Sequence, residues 1–186
     1  MHNTIPDEEL IQACIEGKRY AQKVLYDRYY SLMYAICVRY TGNKEEAEDV
    51  LIEGFIKIFS KIKEFRNEGS FEGWLKRIII NTAINNFRYN SKKKYLNVID
   101  NEKTVEVKDD IDIFKKNYSA EYLIKLIQQL PDGYRIIFNM YEIEGYSHKE
   151  IANELGITVS TSKTQLFHAK RILKNKILNE FKLDLY

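Results

Sequence analysis

Two runs of side chains in this sequence carry the chemistry to hold nucleic acid, and both sit at helical spacing. In the stretch YSHKEIANELGITVSTSKTQLFHAKRIL, Tyr146 to Leu173, the residues Ser160, Lys163, Thr164, Phe167, His168 and Arg171 recur at i, i+3, i+4 and i+7. Residues so spaced share one helix face. This face offers hydrogen bonds and positive charge, which suit base edges and phosphates in a major groove. Further up the chain, Arg77, Asn81, Asn85 and Arg88 recur at i, i+4, i+8 and i+11, and Lys92, Lys93 and Lys94 continue a basic end. Just before them Phe65, Phe71 and Trp74 bracket a polar loop, Arg66 to Ser70. Rings beside amides and cations suit an unstacked base, because a ring accepts its π-face while an amide reads its edge. A duplex has no need of such rings; a melted strand does.

Catalysis finds no comparable footing. The three histidines, His2, His148 and His168, are not spaced with cysteines or carboxylates as a metal site requires. There is no Gly-rich phosphate loop and no nucleophile motif. The chain is read as a binding protein, not an enzyme, with no metal, no cofactor and no small-molecule substrate.

Helices must position both runs. Ser147 and Glu150 make an S-x-x-E capping box that starts a short helix with Ile151, Ala152 and Leu155 on its apolar face. Gly156 falls where the backbone must turn sharply. Thr158 can then cap a second helix whose inward seam is Ser162, Leu166, Ala169 and Leu173. That is the order of a helix-turn-helix, and the alternative is a plain helical hairpin closing a bundle. A buried Ser162 is a weak point in an apolar seam unless it bonds back to a carbonyl one turn earlier. Ser162→Val is accordingly expected to keep or raise stability.

With 186 residues, 45% of them hydrophobic, the chain can build real cores, and with only 8 Gly and 2 Pro it is expected to be all-α. Its net charge of +2 alone says nothing about nucleic acid. Cys14 and Cys37 fall on apolar helical stripes and are expected to be buried thiols rather than a disulfide. Two lone cysteines, no signal peptide and no apolar run near the ~20 residues of a membrane span point to a reducing cytoplasm.

Four helices fill the first half. Pro6 opens one over Asp7–Glu16, ended by Gly17, and a second runs from Lys18 to Tyr40 with Ala21, Leu25, Leu32 and Ile36 at core spacing. Asn43 with Glu46 caps a third, whose buried stripe is Ala47, Leu51, Phe55, Ile58 and Ile62, and a fourth spans Phe71–Asn90. Between Asn97 and Asn117 the chain turns acidic and loses its helical period, which reads as a linker. Then follow a helix in Ser119–Leu130, a break at Pro131-Asp132-Gly133, a helix from Tyr134 to Ile143, and the helix-turn-helix. The expected organisation is two small helical domains, 1–94 and 119–186, on an acidic flexible tether, 95–118.

In this order the segments AEDVLIEGFIKIFSKI (47–62), FRNEGSFEGWLKRIIINTAINNFR (65–88), LPDGYRIIFNMYEIEGYSHKEIANELGI (130–157) and SKTQLFHAKRIL (162–173) resemble the sigma-70 family of bacterial transcription initiation factors. The length resembles its extracytoplasmic-function class. The resemblance implies a first domain that binds core RNA polymerase and melts the minus-ten element, and a second that reads the minus-thirty-five element of promoter DNA. It makes Asp49, Ile52 and Glu53 candidate polymerase contacts on the third helix, with Ile52 where the family commonly has Gln. Gly54 within that helix costs about 1 kcal/mol relative to Ala. The loop Phe65 to Ser70 resembles the one that captures a flipped base, with Asn81 the matching amide. Lys163, Thr164, Phe167 and His168 fall where the family reads duplex DNA. An anti-sigma partner is implied as well. A helix-turn-helix regulator that works without polymerase remains the alternative; it leaves the aromatic loop and the acidic linker without a task.

Overall fold

Helix α1, Asp7–Ile15, begins where Pro6 fixes the backbone and three acidic residues face the positive end of the helix dipole. It ends at Gly17, whose φ of +74° is a conformation that side chains disfavour. The computed structural model describes residues 5–94 and 118–183, with side chains for 5–89 and 118–178. Within it lie eight α-helices and no strand. The all-α expectation holds for the described residues. The acidic tether, 95–118, lies outside them apart from Tyr118, as do the side chains of Lys92, Lys93 and Lys94.

Contacts divide the chain into two units, with the division inside a helix between Asn86 and Phe87. In the first unit α2, Arg19–Tyr40, packs against α1 and against α3, Lys44–Lys61. Its buried seam is Ala21, Leu25, Tyr29, Met33, Ile36, Cys37 and Tyr40. Leu32, expected in the core, is 37% exposed. It falls on the edge of a stripe centred on Tyr29 and Ile36, and Met33 fills the space instead. Helix α3 is capped as expected, the Asn43 side chain accepting from the Glu46 N–H at 2.8 Å. Its expected stripe, Ala47 through Ile62, is buried throughout. Gly54 belongs to that stripe too. A Cβ there would collide with the Ile79 side chain of α4, Phe71–Lys94, so the glycine lets α3 and α4 approach closely. Helix α4 starts on Ser70, whose Oγ accepts from the Gly73 N–H at 3.0 Å, and runs four residues beyond the expected Asn90.

The second unit is wrapped on one long helix. Helix α5, Ala120–Gln128, is capped by Ser119, which accepts from the Tyr122 N–H. Helix α6 spans Asp132–Phe138 and passes into a π-helical turn, Asn139–Ile143. The expected break at Pro131-Asp132-Gly133 is therefore the first turn of α6. Proline is tolerated at a helix start, Asp132 suits the dipole, and a Cβ added at Gly133 would stand 3.1 Å from Gln165 Oε1, so that the Gln165 side chain would have to shift by a few tenths of an ångström. Arg135, 4% exposed, turns back to the end of α5. It donates to the carbonyls of Gln128 and Leu130 and pairs with Asp132 at 2.7 Å. Helices α7, His148–Leu155, and α8, Val159–Leu183, complete the unit; α5, α6 and α7 all pack on α8.

Candidate nucleic-acid interface

The turn between α7 and α8 forms as its residues dictate. Ser147 and Glu150 close the reciprocal capping box: the Ser147 N–H donates to Glu150 Oε2 at 2.8 Å and the Glu150 N–H to Ser147 Oγ at 3.3 Å. The Ser147 hydroxyl, which donates to Glu150 Oε2 at 2.7 Å, and then the Ser147 N–H hold the Glu150 carboxyl below its ordinary pKa. Gly156 takes the left-handed conformation at φ +67°. Thr158 then accepts from the Thr161 N–H at 3.0 Å, opening α8. The seam Ser162, Leu166, Ala169 and Leu173 is buried. Helix α8 is thereby held by α7, and by α5 and α6 further along, while one face of it stays open.

On that open face stand Ser160, Lys163 and Arg171, all exposed, with Thr164 and Phe167 half-buried between them. The Arg171 guanidinium lies 5.8 Å from the Phe167 ring centroid, a cation–π contact that orders both side chains. His168 departs from the expectation. It is only 8% exposed and stacks on Tyr134 of α6, centroids 5.7 Å apart and planes 21° from parallel. Helix α6 covers that flank of α8. The reading face is narrower than the spacing implied, and His168 packs rather than presents itself.

Ser162 supplies a second correction. It is fully buried, and its hydroxyl does not bond back within α8. Instead it lies 2.9 Å from His148 Nδ1, joining the two helices of the motif. His148 is in turn stacked on Tyr141 of the π-helical turn at 4.4 Å. Burial, followed by the charges of Lys163 and Lys170, holds the His148 pKa below its ordinary value of 6.5, with Glu142 opposing. The hydroxyl has a structural partner, so Ser162→Val removes a bond rather than relieving a defect. The S-x-x-E motif and turn glycine were visible in sequence; this contact between residues fourteen apart was not.

In the first unit, the residues around the start of α4 enclose an open cavity of about 380 Å³. Its walls come from Phe65, Arg66, Trp74 and Arg77, together with Glu64, Glu68 and the loop Gly69-Ser70. The loop turns through Asn67 at φ +57° and Gly69 at φ +134°. Phe65 and Trp74 meet at 5.6 Å, offering a ring surface next to two guanidinium groups. Such a wall can stack a base while cations hold its phosphate. Phe71, expected to belong to this surface, is 6% exposed. It lies beneath, stacked on Trp74 at 5.8 Å, because the first residue of α4 turns into the core. Asn81 and Asn85 are exposed on the same helix but do not line the cavity. Arg88 follows, half-buried, beyond the division between the units. The structure thus brings four of the eight expected strand-binding residues together and strings three others along α4.

A third surface is less polar than expected. Asp49, Ile52 and Glu53 all face solvent on α3, Ile52 at 55% exposure. Ile56, one turn on, is 64% exposed. Two isoleucines at i and i+4 on an exposed helix face form an apolar strip, in which Ile56 joins the expected Ile52.

Among the described residues these features define an all-helical protein with a helix-turn-helix in one unit and an aromatic, cationic cavity in the other. The model of Sigma-70 region 2 matches residues 25–93, and that of Sigma-70, region 4 matches residues 120–173. The chain belongs to the sigma-70 family of sigma factors, in its extracytoplasmic-function class. Among curated relatives it is 27% identical to the ECF RNA polymerase sigma-E factor of Haemophilus influenzae, over 95% of this chain and 98% of that one. It is likewise 27% identical to the RNA polymerase sigma-H factor of Pseudomonas aeruginosa, covering 90% and 91% of the two chains. The sigma factor RpoE of Bartonella quintana, solved with the anti-sigma factor NepR, shares the fold. It matches with a TM-score of 0.50 at 17% identity, over 84% of this chain and 96% of that one.

Proposed function

We propose that this chain directs core RNA polymerase to specific promoters as an initiation factor, without covalent chemistry of its own. The observation that carries the reading is the pairing, in one chain and in the family's order, of the aromatic cavity with an open recognition helix. Helix α8 fixes register on duplex DNA through Ser160, Lys163, Thr164, Phe167 and Arg171, mostly by phosphate contacts and a few base edges. Phe65, Arg66, Trp74 and Arg77 receive a base as the minus-ten duplex melts, and Asn81, Asn85 and Arg88 track the strand along α4. Capture offsets part of the few kcal/mol that unstacking costs. Asp49, Ile52, Glu53 and Ile56 dock on polymerase, where the isoleucine strip is covered by the partner. Residues 1–94 carry polymerase binding and melting, 119–186 carry duplex reading, and 95–118 join them.

A net charge of +2 fits a subunit whose DNA affinity is shared with polymerase, since strong free binding needs a larger cationic surface. The chain works in the cytoplasm, where polymerase and chromosome are, and an anti-sigma protein is its natural antagonist. The test is reconstituted initiation with the purified chain and core polymerase on a genomic DNA library, with the transcripts sequenced. Discrete start sites that vanish without the chain are the expected result. A chain that protects duplex sites alone, and gives polymerase no new starts, reverses the reading in favour of a free-standing regulator.

A further inference from the structure

The cavity in the first unit has a buried support that its own lining does not explain. Phe71 does not face the cavity, yet it touches both ring walls, meeting Phe65 at 5.2 Å and 63° and Trp74 at 5.8 Å and 15°. From behind, the Tyr29 ring of α2 meets Phe71 edge-on at 5.8 Å and 80°. Tyr29 is 8% exposed, and its hydroxyl donates to Asp7 Oδ2 at 2.9 Å. The other carboxylate oxygen of Asp7 accepts from Arg28 at 2.7 Å, and the same guanidinium donates to the Ile5 carbonyl at 2.7 Å. One carboxylate at the start of α1 therefore grips two successive residues of α2. The second of them carries the ring on which Phe71 rests. Edge-to-face ring contacts have preferred geometry, so a displaced Tyr29 ring moves the ring it supports.

We propose that Asp7 and Tyr29 are positioning residues for strand capture, setting the placement of Phe65 and Trp74 through Phe71. The proposal rests on the capture role given above to the cavity. It makes the first helix of the chain, which also packs on the turn Ile62–Glu64 just before Phe65, a determinant of promoter opening. It also separates two kinds of aromatic residue in one cluster. Phe65 and Trp74 meet the base, while Phe71 and Tyr29 hold them in register.

Trp74 is the only tryptophan in the chain, so its fluorescence reports on the cavity wall directly. The experiment compares the full-length wild type with Tyr29→Phe, which keeps the ring and removes its anchor, and with Asp7→Asn. Ile58→Val, a change in the buried stripe of α3, serves as a control for simple destabilisation. All are measured well below their melting temperatures. The expected result is altered acrylamide quenching of Trp74 in Tyr29→Phe and Asp7→Asn but not in Ile58→Val. With core polymerase on a duplex promoter carrying 2-aminopurine in the minus-ten element, the same two variants should lose about fivefold in open-complex yield, roughly 1 kcal/mol. Wild-type quenching in both variants overturns the positioning role. Altered quenching with an unchanged opening yield overturns its link to capture. Trp74→Leu in the same opening assay separates the two readings. An unchanged yield there removes capture itself, whereas a reduced yield leaves capture standing and rejects only the support through Tyr29.

Discussion

On α8 the side chains offered to DNA stand on one continuous helix, and their relative placement follows from helical geometry alone. Around the cavity of the first unit they come from a loop with two positive-φ residues and from the first two turns of α4. The duplex face needs only that α8 be held at the right height and angle. The capping box, Gly156, Thr158 and the Ser162–His148 contact supply that from one side. The cavity needs each ring held separately, and a cluster of mutually touching aromatics does so. A duplex presents a regular, preformed surface that a rigid rod can match. A flipped base must be received in a shaped recess. In the proposed function the two sites differ because their ligands do.

The largest effect expected is on the scaffold of the duplex-reading unit. Arg135→Met removes the bonds its guanidinium makes to the Gln128 and Leu130 carbonyls and to the Asp132 carboxylate, at a cost of about 3 kcal/mol. The thermal transition of the second unit should fall by about 12 °C or more. The unfolding transition followed by Trp74 fluorescence, in the other unit, should stay in place. If both transitions move together, the two regions do not deserve separate accounts. Next in size is Trp74→Ala. Base stacking on an aromatic ring contributes about 1–3 kcal/mol, so open-complex yield on a duplex promoter should drop by roughly tenfold. Duplex binding by α8 should be unaffected. A loss on the duplex promoter with none on a premelted one would break the contrast, because a capture defect must show wherever melted strand is held.

A smaller loss is expected at Lys163→Ala. The lysine is exposed and in the proposed function meets phosphate, so affinity should weaken uniformly across promoter sequences and the salt dependence should drop by about one unit of log slope. Polymerase binding should not change. A sequence-selective loss instead would place Lys163 on a base edge and sharpen the reading of α8.

The contrast between the sites also explains what could be seen in the sequence. Everything that repeats with the helix period was legible: the α3 stripe from Ala47 to Ile62, the α8 seam, the capping box and the turn at Gly156. Local chemistry decides those features. What escaped depends on which neighbour covers a given flank. His168 has the spacing of a reader, but α6 lies over it, and Leu32 has core spacing at the edge of a stripe that Met33 completes. Phe71 was grouped with Phe65 and Trp74 because all three are aromatic and near the loop, yet it turns inward. Ile56 was passed over because an apolar residue on a helix is ordinarily assigned to the core. Sequence periodicity shows a face; tertiary packing decides how wide it is.

The smallest effect is a pH dependence confined to the duplex-reading unit, and its sign tests the correction at Ser162. In the folded protein His148 stacks on Tyr141 and meets Ser162, and its burial, followed by the charges of Lys163 and Lys170, depresses its pKa against the opposing Glu142. In the unfolded chain the imidazole titrates near 6.5. Between these two values the unfolded chain binds a proton that the folded one does not, so stability is complete above about pH 6.5 and declines as pH falls toward the folded pKa. Below that it levels off. The thermal transition of the second unit should therefore decrease between pH 7 and pH 5, while the Trp74 transition of the first unit should lack this histidine contribution. His148→Gln removes the titrating group and should flatten the difference between the units. Ser162→Val should cost about 1 kcal/mol at pH 7, because the imidazole loses its partner in a buried setting. Should Ser162→Val instead raise the melting temperature, the apolar seam outweighs the hydroxyl bond, and α8 is held by hydrophobic packing alone.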